Sequence, residues 1–448
     1  MRQHGLEAAI SRRRFLALAG ALGGAAALGG CGGDGGASSS KVTYWVPPNA
    51  ELSRMQAYLA DVKTGFQKAH SGTTLDNVVV PWEDALTKYT AAFSGGNPPD
   101  VTYQIIPWMN KWRSTGVLAD FRTLDKGFTD TFLNGVNPDY VKAAEGPKGE
   151  LLGLPYVGGY WVLALNEALW EKAGKPTLPK TYDDLIPFAQ AMTFDKNGRK
   201  LGESGYDARN VETYGMCWAP SPPIQENYLW HYFWSFGSDY ISADGMDVGF
   251  KDDAGRAALR HMKAMVDSGA VTPPNLYSDD VRWQAAVMSG KAAMAWSEGF
   301  TAEYAKQYPQ LRIKVLEPPA GPGGQYIVGA CGFLSVAAKA RNRSGALDLV
   351  KYLVDDKPLQ DFNKLILAKP VRQQPSNYYD GLDDPRMTTF MNEAAALSKY
   401  VKITRILPYQ PQEYLVGKIN DFLLGRQSMD AMIDEASKQI KQMAKAAK

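Results

Sequence analysis

Strand-like and helical segments alternate in the part of the chain that begins at Lys41, and this alternation constrains the fold more than any other feature. The predicted strands cover residues 42–46, 78–80 and 101–103, and the predicted helices cover residues 52–70 and 82–93. Short strands that alternate with helices predict a mostly parallel β-sheet with helices on both faces. The expected fold class is therefore α/β.

The chain changes character near residues 153–166. Glycines and a proline precede a strand-like run there, and glycine tolerates the dihedral changes that a hinge must absorb. We predict that this stretch is the first crossing between two lobes. Farther along, Thr181 is predicted to cap a helix that runs through Met192, because Asp183 and Asp184 fall in its first turn.

The first forty residues have the composition of a targeting segment. An arginine cluster at 12–14 precedes an apolar run over 15–28, which is too short to span a typical bilayer. The twin arginine followed by Phe-Leu is similar to the signal of the twin-arginine translocase, and the run ends in Leu-Gly-Gly-Cys31, which resembles a bacterial lipobox. We predict that residues 1–30 are a removed signal peptide, that Cys31 is lipidated, and that residues 31–40 are a flexible tether.

Charge and cysteine content narrow the function further. Loss of residues 1–30 removes four arginines and one glutamate, which lowers the formal net charge from +2 to −1. A nearly neutral chain without a basic stripe is not expected to bind nucleic acid. Cys217 and Cys331 are predicted to be buried free thiols, with one disulfide as the alternative. Residues 41–448 exceed what one core usually serves, so two lobes are expected, and no later apolar run is long enough to span a membrane.

The aromatic content favours a carbohydrate ligand. The chain has 11 tryptophans and 23 tyrosines, several of them in predicted loops. Most are expected in the core, Trp234 among them, but an exposed indole can stack on the C–H face of a sugar. Ligands of parallel sheets lie beyond the carboxyl ends of the strands. The candidates in those loops of the first lobe are Trp45, Trp82, Glu83, Gln104 and Trp108.

Five segments together resemble the sugar-binding family of bacterial extracellular solute-binding lipoproteins to which the maltose-binding proteins belong. They are residues 94–101, 153–166, 179–184, 289–294 and 345–370. The resemblance implies a hinged, two-lobed periplasmic-binding-protein fold with discontinuous lobes. By this analogy the first lobe comprises residues 41–154 and 311–368, and the second comprises residues 155–310 and 369–448.

The same resemblance implies a function. The chain would be the substrate-binding component of an ABC importer, a monomer outside the cytoplasm that is held to the cell membrane by its lipid. It would trap a carbohydrate, expected to be an oligosaccharide, by hinge closure and deliver it to a membrane permease, without a cofactor. The further ligand contacts implied are Tyr156, Tyr228, Trp230, Trp296, Glu298, Phe300, the main chain of Gly329, Arg372 and Tyr414. Replacing Trp296 by alanine is expected to weaken sugar binding by more than about tenfold while the fold survives.

Other functions stay open at this point. Within the binding class, the ligand could be a polyol, a glycerophosphate derivative or a peptide. A secreted glycoside hydrolase would need two suitably spaced carboxylates, which a sequence does not exclude. However, the chain lacks a nucleophile elbow, a phosphate loop and a zinc-type helix motif, so an enzyme is not expected. The four histidines do not cluster in the sequence, so no metal site is expected.

Overall fold

Eleven strands in the described part of the chain form two β-sheets. The computed structural model describes residues 40–218, 224–274, 276, 285–297, 299–372, 374–375, 377–404, 407 and 411–446, with only the backbone at 83, 110, 224–228 and 412–413. The strands are β1 (Lys41–Val46), β2 (Thr74–Val79), β3 (Val101–Ile105), β4 (Leu154–Tyr160), β5 (Val162–Asn166), β6 (Phe194–Asp195), β7 (Val211–Met216), β8 (Ala292–Ser297), β9 (Ile313–Leu316), β10 (Ile327–Val336) and β11 (Val401–Ile403).

Helices connect and cover these strands. They are α1 (Leu52–Ala69), α2 (Trp82–Ser94), α3 (Ile106–Trp112), α4 (Phe121–Leu124), α5 (Lys126–Leu133), α6 (Pro138–Ala143), α7 (Glu167–Lys172), α8 (Tyr182–Ala191), α9 (Ile224–Phe236), α10 (Asp253–Asp267), α11 (Ala302–Gln307), α12 (Arg343–Leu353), α13 (Asp356–Ile366), α14 (Pro385–Ala395), α15 (Gln412–Leu423) and α16 (Met429–Ala446). A 3₁₀ turn at Ala396–Tyr400 follows α14.

The first sheet has the strand order β11-β10-β3-β1-β2, and β4 also pairs with β10. Strand β1 pairs in parallel with β2 and β3, which confirms the parallel arrangement predicted from the alternation of strands and helices. Strand β10 runs antiparallel to β3 and β4, so the sheet as a whole is mixed. The three carboxyl ends of β1, β2 and β3 lie at one edge, where the predicted ligand loops follow.

The second sheet has the order β6-β7-β8-β5-β9. Strands β7 and β8 are parallel, whereas β5 runs antiparallel to both β8 and β9. Thr181 caps α8 as predicted: its hydroxyl accepts from the Asp184 N–H, and the Asp184 carboxylate accepts in return from the Thr181 N–H.

The chain passes from the first sheet to the second between β4 and β5, within the predicted crossing. The point at which the chain returns to the first sheet differs from the expectation. Strand β9 still belongs to the second sheet, so the chain re-enters the first sheet between Leu316 and Ile327 rather than at residue 311. Strand β11, expected in the second lobe, pairs with β10 in the first sheet. Sequence periodicity could not reveal either, because strand pairing is a long-range contact.

Helices α8, α9 and α10 meet at His261. The Tyr232 hydroxyl lies 2.6 Å from Nδ1 of His261, and the Tyr182 carbonyl oxygen lies 2.9 Å from Nε2. Because a carbonyl only accepts, Nε2 carries the proton and Nδ1 accepts from the tyrosine. Burial lowers the pKa of His261 below its usual value, although the Tyr182 carbonyl opposes that shift.

Cys217 and Cys331 are buried and free, which confirms the free-thiol prediction over the disulfide. Burial raises the pKa of Cys217 to about 12, and it raises that of Cys331 well above its ordinary value. Across the described ranges, every helix is too short or too polar to cross a bilayer.

Candidate functional site

Five aromatic side chains cluster at the carboxyl ends of β1, β2 and β3. The ring of Trp82 lies 5.4 Å from that of Trp108 and 6.2 Å from that of Tyr103, and Tyr89 contacts both Trp108 at 5.5 Å and Trp45 at 6.0 Å between ring centroids. The strand-end argument therefore brings three of its candidates, Trp45, Trp82 and Trp108, into one group.

Trp82 differs from the rest of this aromatic cluster in its exposure. Trp108, Tyr103 and Tyr89 are buried, whereas 38% of Trp82 is exposed. Its Nε1–H donates to the Pro48 carbonyl oxygen at 3.1 Å, so the polar edge of the indole is occupied. What remains open to a ligand is apolar ring surface, held in place by its neighbours. Such a surface can stack on the C–H face of a sugar.

The chain also has a groove of about 1030 Å³, and none of the five aromatic residues of the cluster is among its lining residues. One wall comes from α1, with the Asn49 loop before it, and from α13; both follow strands of the first sheet. Other lining residues are Thr301–Glu303, which come after β8 of the second sheet, and Gly381–Met387, which lead into α14. The volume is at the upper end of the range typical of small-molecule sites. The groove therefore lies between elements attached to the two sheets.

Carboxylates outnumber cations along the groove. The charged lining residues are Glu51, Asp61, Glu303, Asp355, Asp361 and Asp383 with Arg54, Lys357 and Lys364. Carboxylate oxygens accept hydrogen bonds, and the hydroxyls of a sugar or polyol donate them. A groove with this lining suits a neutral, hydroxyl-rich solute better than an anionic one.

Hydrogen bonds and ion pairs fix part of this lining. The Glu51 carboxylate accepts from the hydroxyl and the backbone N–H of Ser53 at 2.5 and 3.2 Å, and these bonds lower the pKa of Glu51. The Lys357 ammonium donates to Asp361 at 2.6 Å, which raises the lysine pKa. Arg54 lies 3.9 Å from Asp383, and both are largely exposed, so this pair adds little stability.

Two candidates of the second sheet, Trp230 after β7 and Trp296 in β8, are buried in aromatic packing. Only 2% of Trp296 is exposed, and its ring lies 4.2 Å from that of His231. Trp230 packs between Trp234 at 5.4 Å and Tyr240 at 5.2 Å. These placements give Trp230 and Trp296 no open face for stacking. Trp234 is buried, as expected for a core residue.

Phe300 is also enclosed. Its ring lies 5.4 Å below the guanidinium of Arg386, and only 1% of the residue is exposed. Arg386 donates in addition to the carbonyl oxygens of Ala305 and Tyr308 at 2.8 and 2.9 Å, and to both oxygens of Asp384. The arginine thereby fastens the segment after Phe300 to the start of α14.

Gln104 and Tyr156 serve the core of the first sheet. The Gln104 amide donates to the Thr102 hydroxyl at 2.8 Å and accepts from Trp112 Nε1 at 3.2 Å, and its side chain is fully buried. Tyr156 stacks on Phe362 at 4.9 Å between centroids. The polar atoms that would have contacted a ligand are therefore occupied or buried.

Gly329, Arg372 and Tyr414 each have a protein partner. A Cβ on Gly329 would lie 2.5 Å from the Val401 side chain, so its small size makes room for β11. The Arg372 guanidinium lies 5.6 Å from the Phe132 ring centroid and 3.5 Å from the Asp356 carboxylate. The half-buried Tyr414 donates to the Glu435 carbonyl oxygen at 3.3 Å.

Four further predictions cannot be placed. The side chains of Glu83 and Tyr228, and the residues Glu298 and Cys31, lie outside the part of the chain that the structure describes.

Two members of the aromatic cluster, Tyr89 and Tyr103, were missed by the sequence argument. Tyr89 follows Trp82 by seven residues, which is two helical turns, and this spacing could have placed both on one face of α2.

A search of the described ranges finds no group of three or more histidine, cysteine or carboxylate side chains arranged to hold a metal ion. The aromatic cluster offers a stacking surface, and the groove offers hydrogen-bond acceptors.

Comparison with known proteins places these features in a family. The sequence profile of the bacterial extracellular solute-binding proteins matches residues 61–374. A binding protein of Brucella abortus (strain 2308) is 24% identical over 392 residues, covering 85% of this chain and 88% of the relative. The erythritol/L-threitol-binding protein of Mycolicibacterium smegmatis is 22% identical over 99% of this chain and 97% of its own.

Solved structures give the fold. The cyclic alpha-maltosyl-1,6-maltose binding protein of Arthrobacter globiformis superposes with a TM-score of 0.72 over 91% of this chain and 99% of that one, at 18% identity. The chain thus has the two-lobed periplasmic-binding-protein fold that the resemblance implied. Since the family profile spans well over half of the sequence, this chain belongs to the bacterial extracellular solute-binding proteins.

Proposed function

We propose that this protein captures a neutral carbohydrate, an oligosaccharide, between its two lobes. The observation that carries the proposal is the Trp82 indole. It contacts Trp108 and Tyr103, its N–H is bonded to Pro48, and 38% of the residue is exposed. A rigid apolar ring is the feature that sugar C–H faces recognise.

The groove beside the Asn49 loop supplies the hydrogen-bonding part of the proposal. Its carboxylates accept from hydroxyls, and its walls come from elements of both sheets. A solute held by both walls favours the closed form over the open form, which is the differential affinity that hinge closure requires. Micromolar affinity, about −8 kcal/mol, is within reach of one stacking contact and several hydrogen bonds after closure costs.

Relatives support two ligand classes. The structurally similar protein of Arthrobacter globiformis binds an oligosaccharide, by its name, and the relative in Mycolicibacterium smegmatis binds the polyols erythritol and L-threitol. A polyol is therefore the second candidate. Both classes are neutral and rich in hydroxyls, in agreement with the acidic lining of the groove.

The remaining parts of the proposal rest on the sequence. The lipobox ending at Cys31 and the twin arginine before it support export through the twin-arginine translocase and lipid anchoring at the outer side of the cell membrane. A tethered monomer there would present its cargo to the permease of an importer. Catalysis is not part of this role, so the ligand leaves unchanged.

A ligand panel tests the proposal. Intrinsic tryptophan fluorescence and calorimetry of the purified protein would be measured with oligosaccharides, monosaccharides, polyols, glycerophosphate derivatives and peptides. We expect saturable binding of one oligosaccharide class, recovered chemically intact. Binding of polyols alone would favour the second candidate, and recovery of cleaved sugar would indicate a hydrolase. Labelling with a fatty-acid analogue, compared with Cys31→Ser, tests the anchor.

A further inference from the structure

The strand crossing between the two sheets contains a buried donor without an acceptor. Trp161 lies between β4 and β5, and only 8% of it is exposed. Within the described residues, its Nε1–H has no hydrogen-bond partner. Buried indole N–H groups are normally bonded, so an orphaned one requires an explanation.

Other indoles of the chain follow the rule. Nε1 of Trp82 donates to a carbonyl oxygen of Pro48, and Nε1 of Trp170 donates to that of Pro176 at 2.8 Å. Trp112 and Trp234 donate to the side chains of Gln104 and Asp239 at 3.2 and 3.1 Å. The fold thus supplies acceptors to these indoles, even to partly exposed ones, but it supplies none to Trp161.

The position of Trp161 shows what could bond to it. Strands β7 and β8 are parallel and end at Met216 and Ser297, and the first residue of β5, Val162, pairs with Ser297. Trp161 therefore lies at the edge of the second sheet where the parallel strands have their carboxyl ends. Ligands of open α/β sheets bind at this edge. The same residue belongs to the crossing between the two sheets, because β4 pairs in the first sheet and β5 in the second.

We propose that the Nε1–H of Trp161 donates a hydrogen bond to an oxygen atom of the bound solute. This inference rests on the proposed carbohydrate function and adds a ligand contact to it. Without ligand, the donor is buried and unpaired, which destabilises the empty protein. With ligand, the bond forms and that loss is recovered, so the indole favours solutes that have a hydroxyl or ring oxygen at this point.

The substitution Trp161→Phe tests the inference, because phenylalanine keeps a buried aromatic ring and removes the donor. We expect calorimetry to show a Kd for the best carbohydrate raised by about tenfold, a typical effect of one hydrogen bond. The smaller ring leaves a cavity that lowers the melting temperature of the unliganded protein, and removal of the unpaired donor should offset part of that loss. Trp161→His, which keeps a ring N–H, should recover part of the affinity.

Trp170→Phe is the matched control. It removes an indole N–H that has an acceptor in the protein, so we expect a lower melting temperature and an unchanged Kd. If Trp161→Phe binds the wild-type ligand with unchanged Kd, the inference is wrong while the proposed function stands. If wild-type protein binds neither sugars nor polyols, the proposed function fails and the inference with it.

A measurement on the wild-type protein covers the case in which the phenylalanine variant does not fold. In protein with ¹⁵N-labelled tryptophan, the indole resonance of Trp161 should move downfield on saturation with the sugar, as expected for a donor that gains an acceptor. An indole resonance of Trp161 that does not move on saturation would overturn the inference.

Discussion

Truncation of Trp82 gives the sharpest test of the stacking surface. A tryptophan side chain buries up to about 250 Å² when it is fully covered. With 38% of the residue exposed, about 95 Å² of this area is available to a ligand. At about 25 cal/mol per Å², covering it contributes about 2.4 kcal/mol, so Trp82→Ala should weaken sugar binding by about fiftyfold.

The same substitution has a cost in stability that must be separated from the loss of affinity. The buried part of Trp82 packs on Trp108 and Tyr103, and its removal should destabilise the fold by about 2–4 kcal/mol. A domain with a typical stability of about 5–15 kcal/mol stays folded after such a loss. Calorimetric titration well below the melting temperature of the variant, with circular dichroism as a check on folding, then reports affinity alone.

Trp170→Ala is the control for this test. Trp170 on α7 is half-buried and hydrogen-bonded to a carbonyl oxygen, as Trp82 is, but it lies outside the aromatic cluster. We expect a similar loss of stability and no change of affinity. Equal affinities of Trp82→Ala and wild type would refute the stacking argument. Equal losses in both variants would mean that destabilisation, rather than a ligand contact, lowers the affinity.

Three further expectations follow from burial. Trp296→Ala removes a core side chain that is 98% covered, so it should lower the free energy of unfolding by about 3–5 kcal/mol. An unchanged melting temperature together with lost sugar binding would instead indicate that Trp296 contacts the ligand. Cys217 and Cys331 should resist a thiol reagent at pH 8 and both react after unfolding; rapid labelling of the native protein would contradict their burial. The pKa of His261 is lowered in the folded state. Its contribution to stability is therefore complete above its unfolded pKa, about 6.5, and is lost as pH falls through the lower folded pKa. The melting temperature of wild type should thus fall more between pH 7.5 and 5 than that of His261→Gln. Equal falls would show that the histidine does not control this dependence.

The fold of the first sheet was predictable because its signals are local. The proline pair after β1 and the periodic apolar spacing of α1 each involve neighbours in the sequence. The point at which the chain returns to the first sheet was not predictable, because β9 pairs with β5 through residues such as Leu316 and Leu163, which are far apart in the chain. A short strand carries no mark of which sheet it will join.

For the candidate site too, local signals were predictable from the sequence and long-range contacts were not. Strand order and the carboxyl-end rule correctly grouped Trp45, Trp82 and Trp108. Analogy of position could not tell whether Trp296 had an open face, because its burial depends on a ring from another helix, that of His231. The orphaned donor of Trp161 was equally invisible, since the absence of an acceptor is a property of the folded chain.

Buried aromatic residues can still contribute to binding at this site, through the order that they impose. Immobilising a side chain on ligand binding costs about 0.5–1.5 kcal/mol. Trp82 is already held by its N–H bond to Pro48 and by its contacts with Trp108 and Tyr103, so this cost has been met during folding. Replacing Trp108 by a smaller residue would therefore weaken sugar binding without removing any ligand contact, because Trp82 would regain freedom that the ligand must then restrict. In the proposed site, the exposed indole of Trp82 would make the contact, and the buried rings beside it would determine how much of that contact appears as affinity.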